Sequence, residues 1–322
     1  MSAKLARRTK APQIPGLMRL RSIPWIFAGA VAMGADPPPP QQSDSDQLYQ
    51  VGQQLFDQFA PPEVKEEYAF PTKEQWDQFA LRLDQALQGE SLEAVAAMEP
   101  EARAALGASR TLPGYADYAD WLELRLDEIS AARQAAGQAR IPAPRGRQDP
   151  VPYYGLWLAR ERARPVPEAA AELMPLLRSA FASEGVPPEL AWLAEVESSL
   201  KVGARNPSGA RGLFQLMPET AHALGLSTFL PDQRTDPEKS AHAAAHLLNS
   251  LFSRFGSWPL ALAAYNAGEG RLSRLLASKG AHDFAGVAQA LPVETRMYVP
   301  KVCALVEVRT GKRLAEGGRT AQ

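Results

Sequence analysis

The chain has 322 residues, of which 45% are hydrophobic and 22% charged, an ordinary globular composition with room for one large or two modest domains. Its net charge of −1 hides an asymmetry: residues 1–35 hold six Lys/Arg and no acid, leaving 29 positives against 36 negatives beyond them. That mildly acidic remainder excludes an electrostatic footprint for nucleic acid, and the single cysteine, Cys303, excludes an internal disulfide or a thiol metal cluster.

Residues 1–35 read as a signal peptide. Arg19 and Arg21 precede "IPWIFAGAVAMGA", an apolar run too short for a comfortable membrane span and ending in small residues. Met18 is the tidier start, and an uncleaved anchor is the alternative. Residues 36–46, "DPPPPQQSDSD", form a disordered Pro-rich spacer. An accessory helical region is expected over 47–140. In it Thr72 and Gln75 have capping-box spacing ahead of Trp76, Phe79, Ala80, Leu83 and Leu87 on one face. Tyr115, Tyr118, Leu122, Leu126 and Ile129 repeat that period as core aromatics and aliphatics.

"IPAPRGRQDPVP" (141–152) is a second Pro-rich break and the expected linker. Beyond it, helices are predicted over 167–183, 188–200, 215–225, 237–255, 258–267 and 292–310, in an all-α domain spanning 153–312. Residues 313–322 are expected to form a flexible tail.

Within the 188–200 segment, Leu190, Leu193, Ala194 and Glu197 fall at i, i+3, i+4 and i+7, so a carboxylate projects from an apolar stripe. Burial there raises a carboxyl pKa toward neutrality, as a general acid requires. The bland reading is a rim residue paired with a cation. "NPSGARGLFQLMPETA" (206–221) reads as a Gly-rich turn entering a helix near Leu213 or Phe214. Gly209 and Gly212 there allow tight turns and close approach of backbone to a ligand. Gln215 offers a donor and acceptors for a sugar amide or hydroxyl. In "ALAAYNAGEGR" (261–271), Tyr265 and Asn266 put an aromatic face and an amide at an exposed helix end, with Gly268 as its cap. "LPVETRMYVPKV" (291–302) sets Tyr298 at a helix start between Pro292 and Pro300.

Together and in this order, "VESSL", "GARGLFQLMPETA", "ALAAYNAGEGR" and "ETRMYVPKV" resemble the soluble lytic transglycosylase catalytic domain, a goose-lysozyme-like family that cuts bacterial peptidoglycan. The resemblance covers about residues 165–312. It implies a lysozyme-like all-α fold, with Glu197 as the single catalytic acid/base. It also implies substrate contacts at Ser198, Asn206, Gly212, Gln215, Met217, Tyr265, Asn266 and Tyr298. Phe214 replaces the family's usual Met, and Asn206 stands where the family has a serine. The implied reaction cleaves the MurNAc–GlcNAc bond without water, leaving 1,6-anhydroMurNAc, and needs neither metal nor other cofactor.

Peptidoglycan strands are the implied partner, in the periplasm or cell envelope. The accessory helices either wall the cleft, inhibit, or meet another envelope protein. No second acid recurs with Glu197: Glu195 faces elsewhere, and Glu219, Asp236, Glu269 and Glu294 read as helix-end or surface residues. A goose-type hydrolase and a non-catalytic glycan binder are the alternatives. His242 and His246 have metal-ligand spacing, but "HAAAH" lacks the metalloprotease Glu and reads as a helix-surface pair.

Overall fold

A computed structural model of the chain describes residues 73–111, 116–139, 149–206 and 208–314. The expected signal peptide, the spacer, residues 47–72, most of the 141–152 break and residues 315–322 of the tail lie outside the described residues, as do the side chains of Trp76, Ala80, Tyr115 and Tyr118. The described part is helical, as the patterning predicts. Its β contacts are only the isolated bridges Arg205–Arg211 and Arg211–Leu216.

Among the described residues four helices precede the break: α1 (Lys73–Gln88), α2 (Leu92–Ala97), α3 (Glu99–Thr111) and α4 (Ala116–Ala139). After it come α5 (Tyr154–Arg162), α6 (Ala170–Ser183), a 3₁₀ turn (Pro188–Trp192) and α7 (Leu193–Ser198). Then follow α8 (Pro218–Ala223), α9 (Pro237–Phe255), α10 (Trp258–Ala267), α11 (Glu269–Lys279), α12 (Phe284–Ala288) and α13 (Val293–Thr310). Local chemistry sets many of these ends. Ser91 accepts from Ala94 N at the start of α2, and Asp236 accepts from Lys239 N at the start of α9, with Pro237 in the first helical position.

Several boundaries differ from expectation. The helix expected over 188–200 opens as a 3₁₀ turn, and its six-residue α-helical part stops at Ser198 because Ser199 and Leu200 both take left-handed backbone (φ 52 and 62). The helix expected from residue 215 begins only at Pro218, since Gln215 also has positive φ (46). Helices α2, α3, α5, α11 and α12 went unread. For α11 the reason is plain: only Gly268 separates it from α10, in a Gly-rich step that reads as a breaker.

One apolar core runs from Phe79 to Val306 and includes Leu83, Leu122 and Ile129 from before the break. Helix α13 is its post, with Val293 and every residue from Thr295 to Val306 buried. Tyr298 therefore sits one turn inside that helix rather than at its start, and Pro300 lies within it. The early helices also complete its N-terminus. Val293 N donates to Gly89 O at 2.8 Å, and the Arg296 guanidinium donates to Glu90 O (2.8 Å), Gln289 O (3.0 Å) and Leu291 O (3.0 Å).

An ionic layer joins α4, α5 and α13. Lys301, with no exposed side chain, lies 3.0 Å from Asp127, which also receives Arg160 and Arg164 at 2.6 Å each. Burial opposes the charge of Asp127, but Lys301, Arg164 and Arg160 outweigh it and hold its pKa well below the usual carboxylate range. Lys301 also stands 5.1 Å over the ring of Trp157. Cys303 is buried in α13, a small core residue as its apolar sequence neighbours predict.

Candidate active site

Helix α7 is short, with Leu193, Ala194, Glu195, Val196 and Ser198 enclosed and Glu197 part-buried at the cleft. Glu195 points away from Glu197, as helical geometry requires, and Arg309 takes both of its oxygens at 2.9 and 2.6 Å. Ser198 Oγ lies 2.9 Å from Ala194 O and 3.0 Å from Leu213 O, so its hydroxyl is turned into the protein and ties α7 to the following loop.

That loop, residues 204–217, is held from three sides. At Gly212 (φ 80) a Cβ would stand 1.9 Å from Arg234 O, so no side chain fits. The close approach anticipated at this glycine is thus to the protein's own backbone. Arg234 is buried, and its guanidinium donates to Gly209 O (2.8 Å) and Leu216 O (3.0 Å) while Asp232 holds its other edge. Asp232 is pulled down to about 2, first by its hydrogen bond from Arg234. From α10, Tyr265 OH donates to Phe214 O at 2.7 Å, and the Phe214 ring lies fully buried 5.5 Å from that of Phe181. Tyr265 is therefore half-buried with its hydroxyl engaged, rather than an exposed aromatic at a free helix end.

These restraints decide which polar atoms face a ligand. Gln215 donates its amide to Gly212 O at 2.9 Å, which leaves its carbonyl oxygen as the group to offer. Asn206 accepts from Ser208 N and Ser208 Oγ at 2.9 Å each, so its amide NH₂ is the free end. Asn266 likewise accepts from Thr295 Oγ1 at 2.6 Å. All three line one half-open cleft with Glu197, Ser198, Tyr265 and Met217, whose side chain remains 37% exposed. Of the residues expected to contact substrate, Gly212 and Tyr298 do not line it. Gly212 shapes the loop, and Tyr298 acts from behind.

Tyr298 is buried in α13, and its OH donates to Glu197 Oε1 at 2.5 Å. Enclosure of the Glu197 carboxyl pushes its pKa up to about 7. The Tyr298 hydrogen bond and Arg125 pull the other way, and Glu128 and Glu294 push with the burial. A carboxyl poised there can give a proton and take one back near neutral pH. Burial, and then the Glu197 charge, hold both the Tyr298 and Tyr265 hydroxyls well above the ordinary phenol range, so both stay protonated donors.

Sequence reasoning missed the rest of the cleft. Asp120, Trp121, Leu124 and Arg125 of α4 line it, as does Glu294 from the first turn of α13. Glu294 is a helix-end residue as read, yet it bonds Arg125 Nη1 and accepts from Gln88 Nε2 at 3.1 Å. Trp121, Arg125 and Glu128 recur at i, i+4 and i+7 on α4, beside the apolar stripe. A tryptophan with two charges on one face was the available signal. His242 and His246 instead face Glu184 at 2.9 and 3.5 Å on α9. Among the described residues no three His, Cys, Asp or Glu converge as a metal site.

Residues 176–287 match the family model described as the transglycosylase SLT domain. The chain is 37% identical over 129 residues to the membrane-bound lytic murein transglycosylase D of Escherichia coli (strain K12), covering 38% of this chain and 28% of that protein. It is 35% identical over 120 residues to the soluble lytic murein transglycosylase of the same strain, covering 35% of this chain and 19% of that protein. It thus spans less than a third of the length of these curated relatives. Among solved structures, the 70 kDa soluble lytic transglycosylase from Escherichia coli aligns with 82% of this chain and 60% of its own, at 18% identity and a TM-score of 0.40.

Proposed function

We propose that this chain, which carries a transglycosylase SLT domain over residues 176–287, is a peptidoglycan lytic transglycosylase with Glu197 as its general acid and base. The observation that carries this is the state of Glu197: a carboxyl with a pKa near 7, lining the cleft with one oxygen held by Tyr298.

In this mechanism protonated Glu197 delivers its proton to the glycosidic oxygen between MurNAc and GlcNAc as the C1–O bond breaks. The carboxylate so formed takes the proton from the MurNAc C6 hydroxyl, whose oxygen bonds to C1. A 1,6-anhydro ring closes, Glu197 returns to its starting state, and no water is consumed. Tyr298 donates to Oε1 throughout, which leaves Oε2 to exchange the proton. The substrate's N-acetyl group supports positive charge at C1. In this reading the Gln215 carbonyl and the Asn206 and Asn266 amides, which line the same cleft as Glu197, bind hydroxyl and acetamido groups, with Met217 as an apolar contact. The further cleft carboxylates, Glu294 and Asp120, are each tied to a cation, Arg125 and Lys201 respectively, which fits a one-acid mechanism better than a hydrolase with a second acid holding water. Such a role sets the protein outside the inner membrane, where peptidoglycan lies. Among the described residues no helix is long and apolar enough to cross a membrane.

The test is digestion of purified sacculi, with the products weighed. Ends lighter by one water and resistant to borohydride reduction are expected, and none from Glu197→Gln. Reducing MurNAc ends would mean hydrolysis, and an active Glu197→Gln protein would remove Glu197 from its role.

A further inference from the structure

We infer that Arg125 of α4 is a positioning residue for the Glu197 carboxyl, so that helices ahead of the matched domain form part of the active site. The inference rests on the proposed function and deepens it. Arg125 lines the cleft with Glu197 and has only 15% of its side chain exposed. Its Nη1 lies 2.9 Å from Glu128 Oε2 and also bonds Glu294 Oε1. Glu294 sits four residues before Tyr298 on α13, and Tyr298 holds Glu197. One guanidinium therefore fixes the near end of the helix that carries the tyrosine on the catalytic carboxyl.

It also balances the charge there. The groups acting on Glu197 are Tyr298 and Glu294 from α13, Tyr265 from α10, and Arg125 and Glu128 from α4. On α7 itself, Glu195 is neutralised by Arg309 at 2.6 Å. Lys301 reaches Glu128 only at 4.0 Å. Lys201 and Arg205 also line the cleft, with Lys201 paired to Asp120. Arg125 is the cation that acts most strongly on Glu197, against carboxylates whose charge opposes its ionisation. Without it Glu197 would hold its proton more tightly and return it less readily.

The experiment follows release of anhydro ends from sacculi against pH, using the full chain and its Arg125→Gln, Arg125→Lys and Glu294→Gln variants. Glu197 must enter the reaction protonated, so kcat/KM falls as pH rises through its pKa. Loss of Arg125 should move this basic limb upward by roughly one pH unit. Loss of the Glu294 charge should move it downward, and Arg125→Lys should keep it near the parent. Both glutamine variants break the same ion pair, so a purely structural pair moves both limbs the same way or neither. Either of those results overturns the inference. Should Arg125→Gln fail to fold, Glu294→Gln decides alone, and an unmoved limb is again fatal. A parent chain that releases no anhydro ends at any pH would remove the proposed function, and this inference with it. A cleaving parent with unmoved limbs would remove the inference only.

Discussion

Glu197 is held between two opposing influences at the scale of single groups. Enclosure favours its neutral form, and the phenol of Tyr298, 2.5 Å from Oε1, favours the carboxylate. Neither alone yields an acid that also works as a base: enclosure without the phenol gives a group slow to release its proton, and the phenol without enclosure gives an ordinary carboxylate. A Tyr298→Phe substitution keeps the ring and removes the donor. The Glu197 pKa should then rise above about 7, and the basic limb of kcat/KM should move to higher pH. Cleavage rates across pH 5–9 for parent and variant check this; a limb that moves to lower pH would contradict the stated role of the phenol.

At the scale of elements, the loop after α7 has only two isolated bridges of its own and is otherwise shaped by its neighbours. Three side chains bind its carbonyls: Ser198 at Leu213, Tyr265 at Phe214, and Arg234 at Gly209 and Leu216. Leu216 O also accepts from Arg211 N across the isolated bridge, whereas Leu213, Phe214 and Gly209 O take these side-chain donors in place of a helix or strand partner. Tyr265→Phe should leave Phe214 O unpaired, at a stability cost of about 1 kcal/mol. The larger effect should fall on substrate binding, because Gln215 and Met217 are carried on the same loop. KM should rise several-fold with a lesser change in kcat, measured on a soluble glycan fragment. A change confined to kcat would instead place the Tyr265 hydroxyl in the chemistry.

Over the whole molecule, the helices before and after the Pro-rich break share one core and one ionic layer. Asp127 of α4 meets three cations from α5, α13 and the segment after α5. Lys301 has no exposure, so removing its partner's charge leaves an ammonium buried and poorly compensated. Asp127→Asn should cost about 3–5 kcal/mol, read as a lowered midpoint in denaturant with little change in slope. Adding Lys301→Met should recover much of that loss, because the stranded ammonium is then gone. A double variant as unstable as the single one would mean that Lys301 is not the group stranded.

The sequence by itself determined that the chain is helical and where its chemistry is concentrated. Periodicity alone puts Glu197 on an apolar stripe, where burial raises a carboxyl pKa; that it comes to about 7 depends also on Tyr298, Arg125, Glu128 and Glu294 from other elements. The spans of α9 and α10 were also legible, because Pro at the first turn and Gly past the end are local signals. Only the tertiary structure decided which residues meet across long separations. Arg125 and Glu294 are 169 residues apart, and Tyr298 lies 101 residues from Glu197. The roles of Gly212, Ser198 and Tyr265 also belong to the fold. A glycine reads the same whether a ligand or the Arg234 carbonyl approaches it, and a hydroxyl gives no sign of which acceptor it will find. Local patterning reports the state of one segment's own faces. The partner of a polar group depends on how separate segments pack, and that is set by the whole core at once.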